Sequence, residues 1–133
     1  MASMRVLVIN PGATSTKVSV FDDERETFRK SIDHPAAELA PFERVIDQRE
    51  YRKGHILRLL AGSGYGLADF QAVCGRGGLL RHIPSGTYAV TDRVIADLEH
   101  PLYGEHAANL GPVLAKELAD EVVVRVGIEE EAL

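Results

Sequence analysis

Tryptophan is absent from this 133-residue chain, phenylalanine and tyrosine number only four each, and there is a single cysteine, Cys74. One thiol cannot form an internal disulfide, so a reducing, cytoplasmic setting is expected and Cys74, in the apolar stretch 70–74, is expected to be buried and inert. Basic residues form no cluster: 15 Lys and Arg are scattered among 20 Asp and Glu, for a net charge of −5. Nucleic-acid affinity comes mostly from a broad positive surface, so no nucleic-acid partner is expected, and any anion must be held locally. Long apolar runs are missing too. The N-terminal run Val6 to Ile9 stops at Asn10-Pro11, which leaves neither a signal peptide nor a membrane span to read. The histidines lack metal-ligand spacing, so no metal site is expected, and His34, His55, His82 and His100 read as surface or loop residues.

What is present is ordinary for one globular domain: 45% hydrophobic and 26% charged residues. The length supports one core but is short for an enzyme that encloses two substrates between lobes. Met1-Ala2-Ser3, ahead of Met4, is set aside from the fold reading.

Alternation of apolar and polar residues predicts strands over Arg5 to Ile9 and Thr16 to Phe21, with a third near Thr27 to Ile32 after the turn "DDERE". Leu39, Phe42, Val45 and Ile46, then Ile56, Leu57, Leu59 and Leu60, follow helical spacing after Pro35. The polar "DQREYRK" between them reads as a solvated helix face. Glycines in "GSGYG" end that helix, and Phe70 to Cys74 is a short buried strand entering the turn "GRGG". A strand at Thr87 to Val90, a helix capped by Thr91 and ended by Pro101, and a helix over roughly Glu105 to Asp120 follow, with Pro112 setting a kink or a start near Gly111. "VVVRV" at 122–126 is the last predicted strand, and the acidic "EEE" reads as a solubilising end.

The chemistry concentrates in "NPGATSTK", residues 10–17, between the first two strands. A helix-opening phosphate loop does not fit. Counted from Gly12, Lys17 comes one position early, the second glycine is missing, and "KVSVF" alternates as a strand. A β-hairpin fits: Gly12 permits a tight turn, Thr14, Ser15 and Thr16 offer hydroxyl and backbone donors at its tip, and Lys17 supplies a charge. Turn chemistry alone favours the same residues, so composition by itself leaves an ordinary polar tip equally open.

The order Asn-x-Gly-x-Thr-Ser-x-Lys between two strands resembles the phosphate-binding first hairpin of the acetokinase family, within the sugar kinase, Hsp70 and actin superfamily. "VINPGATSTKVSVFDDE" at 8–24, "VIDQREYRK" at 45–53, "VCGRGGLLRHIPSGTYAV" at 73–90 and "GEHAANLG" at 104–111 are similar to successive N-terminal blocks of the butyrate kinase branch. Arg76, directly before Gly77-Gly78, favours that branch over the acetate one.

The resemblance implies an α/β fold of the ribonuclease H-like kind, the N-terminal lobe of an actin-like ATPase. Its sheet would be mixed, with three antiparallel strands followed by strand and helix crossovers. The implied activity is reversible phosphoryl transfer from ATP, with Mg2+, to butyrate or a branched short-chain carboxylate, giving ADP and an acyl phosphate. Asn10, Gly12, Thr14, Ser15 and Lys17 would bind the nucleotide phosphates. Arg76 and His106 would be catalytic, and Arg76, Gly77, Gly78 and Asn109 would bind substrate. Residues 4–121 would form this lobe and 122–133 a divergent strand and acidic tail. The second lobe would be absent and the chain alone inactive. The alternative is a free-standing module that binds phosphate or acyl phosphate without turnover. A homo-oligomer or a second kinase lobe would be the protein partner. One departure falls inside the hairpin: Ala13 stands where the family has serine, which removes a hydroxyl donor worth on the order of 1.5 to 3 kcal/mol to a charged ligand.

Overall fold

A computed structural model describes residues 4–77, 86–100, 104–121 and 125–130. Three antiparallel strands open the chain: β1 (Arg5–Pro11), β2 (Ser15–Asp22) and β3 (Arg25–Asp33). Register follows the side-chain period of two. Leu7, Ile9, Val18 and Val20 turn to one face and are fully buried, while Val8, Asn10, Lys17 and Ser19 turn to the other. The turn into β3 is tight, with Asp23 at φ 57°, a conformation that aspartate tolerates better than most residues.

The helical segment after Pro35 is broken where one continuous pattern was expected. α1 (Ala36–Leu39) is a single turn: Ala40 keeps helical backbone and bonds back to Ala36, but Pro41 has no N–H to continue the series. A 3-10 turn at Val45–Gln48 then leads into α2 (Arg49–Gly62). β4 (Ala72–Arg76) begins later than the predicted strand and runs to Arg76, so that arginine ends a strand. β5 (Gly86–Ala89) follows, and the Thr91 hydroxyl caps α3 (Asp92–Glu99) by accepting the Val94 N–H at 3.3 Å. A 3-10 turn at Ala107–Asn109 enters α4 (Leu110–Asp120), with Pro112 in the first turn where its missing N–H costs nothing. β6 (Arg125–Glu130) contains Arg125 and Val126 of the predicted strand and runs on through Glu129 and Glu130, while residues 122–124 lie outside the described residues.

The sheet order is β3-β2-β1-β4-β6-β5, with β4 parallel to β1 and to β6, and β5 antiparallel to β6. α2 and α4 cover one face. Ile56 and Leu60 of α2 and Leu110, Val113, Leu114 and Leu118 of α4 join the inward strand residues in one core. α4 comes nearest at two glycines. A Cβ on Gly75 of β4 would overlap the backbone of Gly111 and Pro112, and one on Gly111 would lie 2.5 Å from the Arg76 carbonyl. Helix and strand therefore meet backbone to backbone, which fixes where the carboxyl end of β4 sits relative to the start of α4.

Candidate functional site

The face opposite the helices is a groove of about 500 Å³ lined chiefly by Val8, Asn10, Lys17, Ser19, Phe21 and Arg76. Asn10 and Lys17 are direct partners across the hairpin, and Arg76 reaches the same face from β4. Arg29 and Lys30 extend the lining along β3, and Glu26, bonded to Arg29 at 2.8 Å, is its acidic member among the described residues. A chain of net charge −5 thus gathers cations at one place, as local binding of an anion requires.

At the hairpin tip the backbone is turned by Arg52, a residue that the polar run "DQREYRK" had suggested was solvated. Arg52 projects from α2 and is fully buried. Its Nη1 donates to the carbonyls of Gly12 at 2.8 Å and Ser15 at 2.9 Å, and to the Thr16 hydroxyl at 3.2 Å. Nη2 donates to the Ala13 carbonyl at 3.2 Å, and both Nη2 and Nε donate to Oε1 of Gln48, at 2.8 and 3.0 Å. The Thr14 carbonyl accepts from the His34 N–H at 2.8 Å.

In a planar trans peptide the C=O and N–H point in opposite directions. Holding the carbonyls of Gly12 and Ala13 against Arg52 therefore turns the N–H groups of Ala13 and Thr14 away from it. Neither has a backbone partner among the described residues, and both residues are exposed. Successive outward N–H groups make a concave anion seat. The seat is built from main chain, so the hydroxyl missing at Ala13 leaves it intact.

Thr16 points the other way. It is buried, and its hydroxyl lies between Arg52 and Nε2 of His34, at 2.8 Å from the latter, so it offers nothing to a ligand at the tip. His34 lies in a loop, as one of the two expectations had it, but not at the surface: it is 2% exposed and sits edge-on to the rings of Tyr51 and His55. Burial, reinforced by the nearby charges of Arg52 and His55 and opposed by Glu38 and Asp33, pushes its imidazole from 6.5 down to about 4. His55 is half-buried and His100 exposed, while His82 lies outside the described residues.

The remaining expected site residues gather at the same end of the sheet. Ile9 and Gly75 are level across β1 and β4, so the tip and the segment Arg76–Gly77 leave adjacent strands side by side. Gly77, at φ +82°, takes a backbone conformation that glycine alone adopts freely, and a Cβ there would lie 3.1 Å from Ala108. The turn 107–109 packs on β1, bringing in His106, whose Nδ1 accepts the Ala108 N–H at 3.0 Å. His106 is exposed and its cap bond leaves Nε2 as the N–H donor. Asn109 is buried and its Nδ2 donates to the Gly104 carbonyl at 3.1 Å, so its side chain ties the turn. Gly78 and Pro101 lie outside the described residues. Cys74 is half-buried, which corrects the expectation of a fully buried thiol.

Solved structures share this fold. Acetate kinase from Porphyromonas gingivalis superposes with a TM-score of 0.56 at 19% identity, over 96% of this chain and 37% of its own. Propionate kinase from Francisella tularensis gives 0.52 at 11% identity, over 96% and 36%. RuvC from Thermus thermophilus, solved with a Holliday junction substrate, gives 0.51 at 13%, over 96% and 64%. The fold is the ribonuclease H-like one that these structures share. The chain spans little more than a third of the length of the two kinases. A protein solved with a Holliday junction on the same fold as two carboxylate kinases shows that the fold alone does not select the chemistry. No protein-family model matches the chain.

Proposed function

We propose that the chain carries the phosphate-binding half of a short-chain carboxylate kinase of the butyrate kinase type, acting in the cytoplasm on ATP and butyrate or a branched relative. The observation that carries this reading is the pair of outward N–H groups of Ala13 and Thr14 at the hairpin tip, next to the groove face that presents Asn10, Lys17 and Arg76. The ribonuclease H-like fold, shared with acetate and propionate kinases, supports it.

Phosphoryl transfer asks for positioning and charge neutralisation rather than a protein nucleophile. In the proposed reaction a carboxylate oxygen bonds to the γ-phosphorus as its bond to the bridging oxygen breaks, and ADP leaves with the electron pair. No proton need move. The N–H groups of Ala13 and Thr14, with Gly12 shaping the turn, hold phosphate oxygens, and the Lys17 ammonium balances their charge. Arg76 grips the carboxylate or the transferring group with its planar fork, beside the backbone of Gly77 and Gly78, and His106 donates from Nε2. The donor set at the tip suits phosphate oxygens, and Asn10 provides a carboxamide oxygen through which a water on the nucleotide's magnesium would be ordered. Magnesium brought in with the nucleotide would supply the charge neutralisation that eases departure of ADP. Asn109 contributes by fixing the turn that carries His106.

The test is an amide NMR titration of the labelled chain, first with Mg-ATP and then with butyryl phosphate. Expected are shifts confined to residues 12–17, 75–78 and the neighbourhood of His106, with no acyl phosphate formed by the chain alone. Lys17→Ala should weaken binding about 10- to 100-fold, the value of a hydrogen bond to a charged group. A dispersed spectrum unmoved by millimolar ligand overturns the reading.

A further inference from the structure

Arg52 is a buried cation without an anion. Its acceptors are three carbonyls, one hydroxyl and one carboxamide, and among the described residues no carboxylate pairs with it. Burial pushes its pKa below the ordinary value, with Tyr51 opposing, yet arginine starts so high that it stays charged. An unpaired buried charge costs several kcal/mol unless something offsets it. The neutral acceptors offset part. The rest of the compensation is absent from the described structure, and the geometry says where it belongs.

We infer that Arg52 is the positioning residue of the tip and that its charge is the buried counter-charge of the anion bound there. This rests on the phosphate-binding reading above. The peptide groups Gly12–Ala13 and Ala13–Thr14 stand between the guanidinium on their carbonyl side and the ligand on their N–H side. A cation at one end of a peptide dipole and an anion at the other strengthen each other through it. Arginine is required for the geometry as well as for the charge: one planar group must reach three separate carbonyls while anchored to Gln48, which a lysine ammonium cannot do. The residue never touches the ligand.

A purely structural pin would be equally buried, so the deciding variant leaves the pin in place. Gln48→Glu has nearly the shape of the native side chain and still accepts from Nε and Nη2, but it supplies the missing carboxylate. The full chain and the variant are titrated with pyrophosphate, read by the amide shifts of Ala13, Thr14 and Ser15, and their urea midpoints are compared. Expected is a fold at least as stable as the native one with roughly tenfold weaker pyrophosphate binding, because the charge is then answered from within. A structural pin predicts unchanged or tighter binding, and that result overturns the inference while leaving the phosphate-binding reading standing. Failure of the native chain to bind pyrophosphate overturns both. Arg52→Lys provides the second measurement: it keeps a charge but loses the fork, and should shift the three tip amides in the free protein and lose most of the binding. Native affinity in a folded Arg52→Lys variant would also overturn the inference.

Discussion

Two buried side chains, Arg52 and His34, meet at the Thr16 hydroxyl, and their charge states run in opposite senses. Arg52 stays cationic, while His34 is held neutral by burial and by that cation. A histidine whose folded pKa lies below its unfolded value stabilises the fold fully above about 6.5 and loses that contribution as pH falls towards 4. At about 1.4 kcal/mol per unit, acidification from pH 7 to 4 should remove on the order of 3 kcal/mol through this one group. Urea unfolding of the native chain and of His34→Gln across that range isolates the effect. The native curve should fall more steeply, and parallel curves would show that His34 protonates without cost. A trace of the buried arginine was in the sequence all along. Arg52, Ile56 and Leu60 are spaced four apart and occupy one buried stripe of α2, but hydrophobic patterning discounts a charged residue on such a stripe.

Among the elements, the β1–β2 hairpin was legible because a two-residue period and a glycine tip specify both pairing and turn. The helical region was less so. Leu39 to Ile46 and Ile56 to Leu60 both keep helical spacing, and the missing N–H of Pro41 ends α1 before a 3-10 turn leads into α2. The "GRGG" glycines were read for the ligand, yet Gly75 serves the crossing of α4 over β4, a long-range approach that local sequence does not announce. Gly75→Ala should cost about 3 kcal/mol or more, since backbone cannot step aside as a side chain can. Chemical denaturation would register this as a lowered midpoint. A midpoint close to native would mean that α4 can lift from the strand.

For the molecule as a whole, the ribonuclease H-like fold expected from the opening hairpin and the later blocks is the fold observed. The last strand was expected to end at Val126, where β-propensity falls off, yet pairing with Ala72–Arg76 carries it on into the acidic run to Glu129. That strand lies between β4 and β5, so both of its neighbours depend on it. A chain cut after residue 121 should lose amide dispersion across the sheet, and a spectrum that kept it would show that β1 to β4 fold without β6. The order of synthesis gives this arrangement a further meaning. While the ribosome is still adding residues 90–124, β5 has no partner within the sheet and one side of β4 stands open, so the nascent protein carries unsatisfied strand edges until β6 arrives. The interval before that arrival is when the chain is most exposed to pairing with another copy of itself.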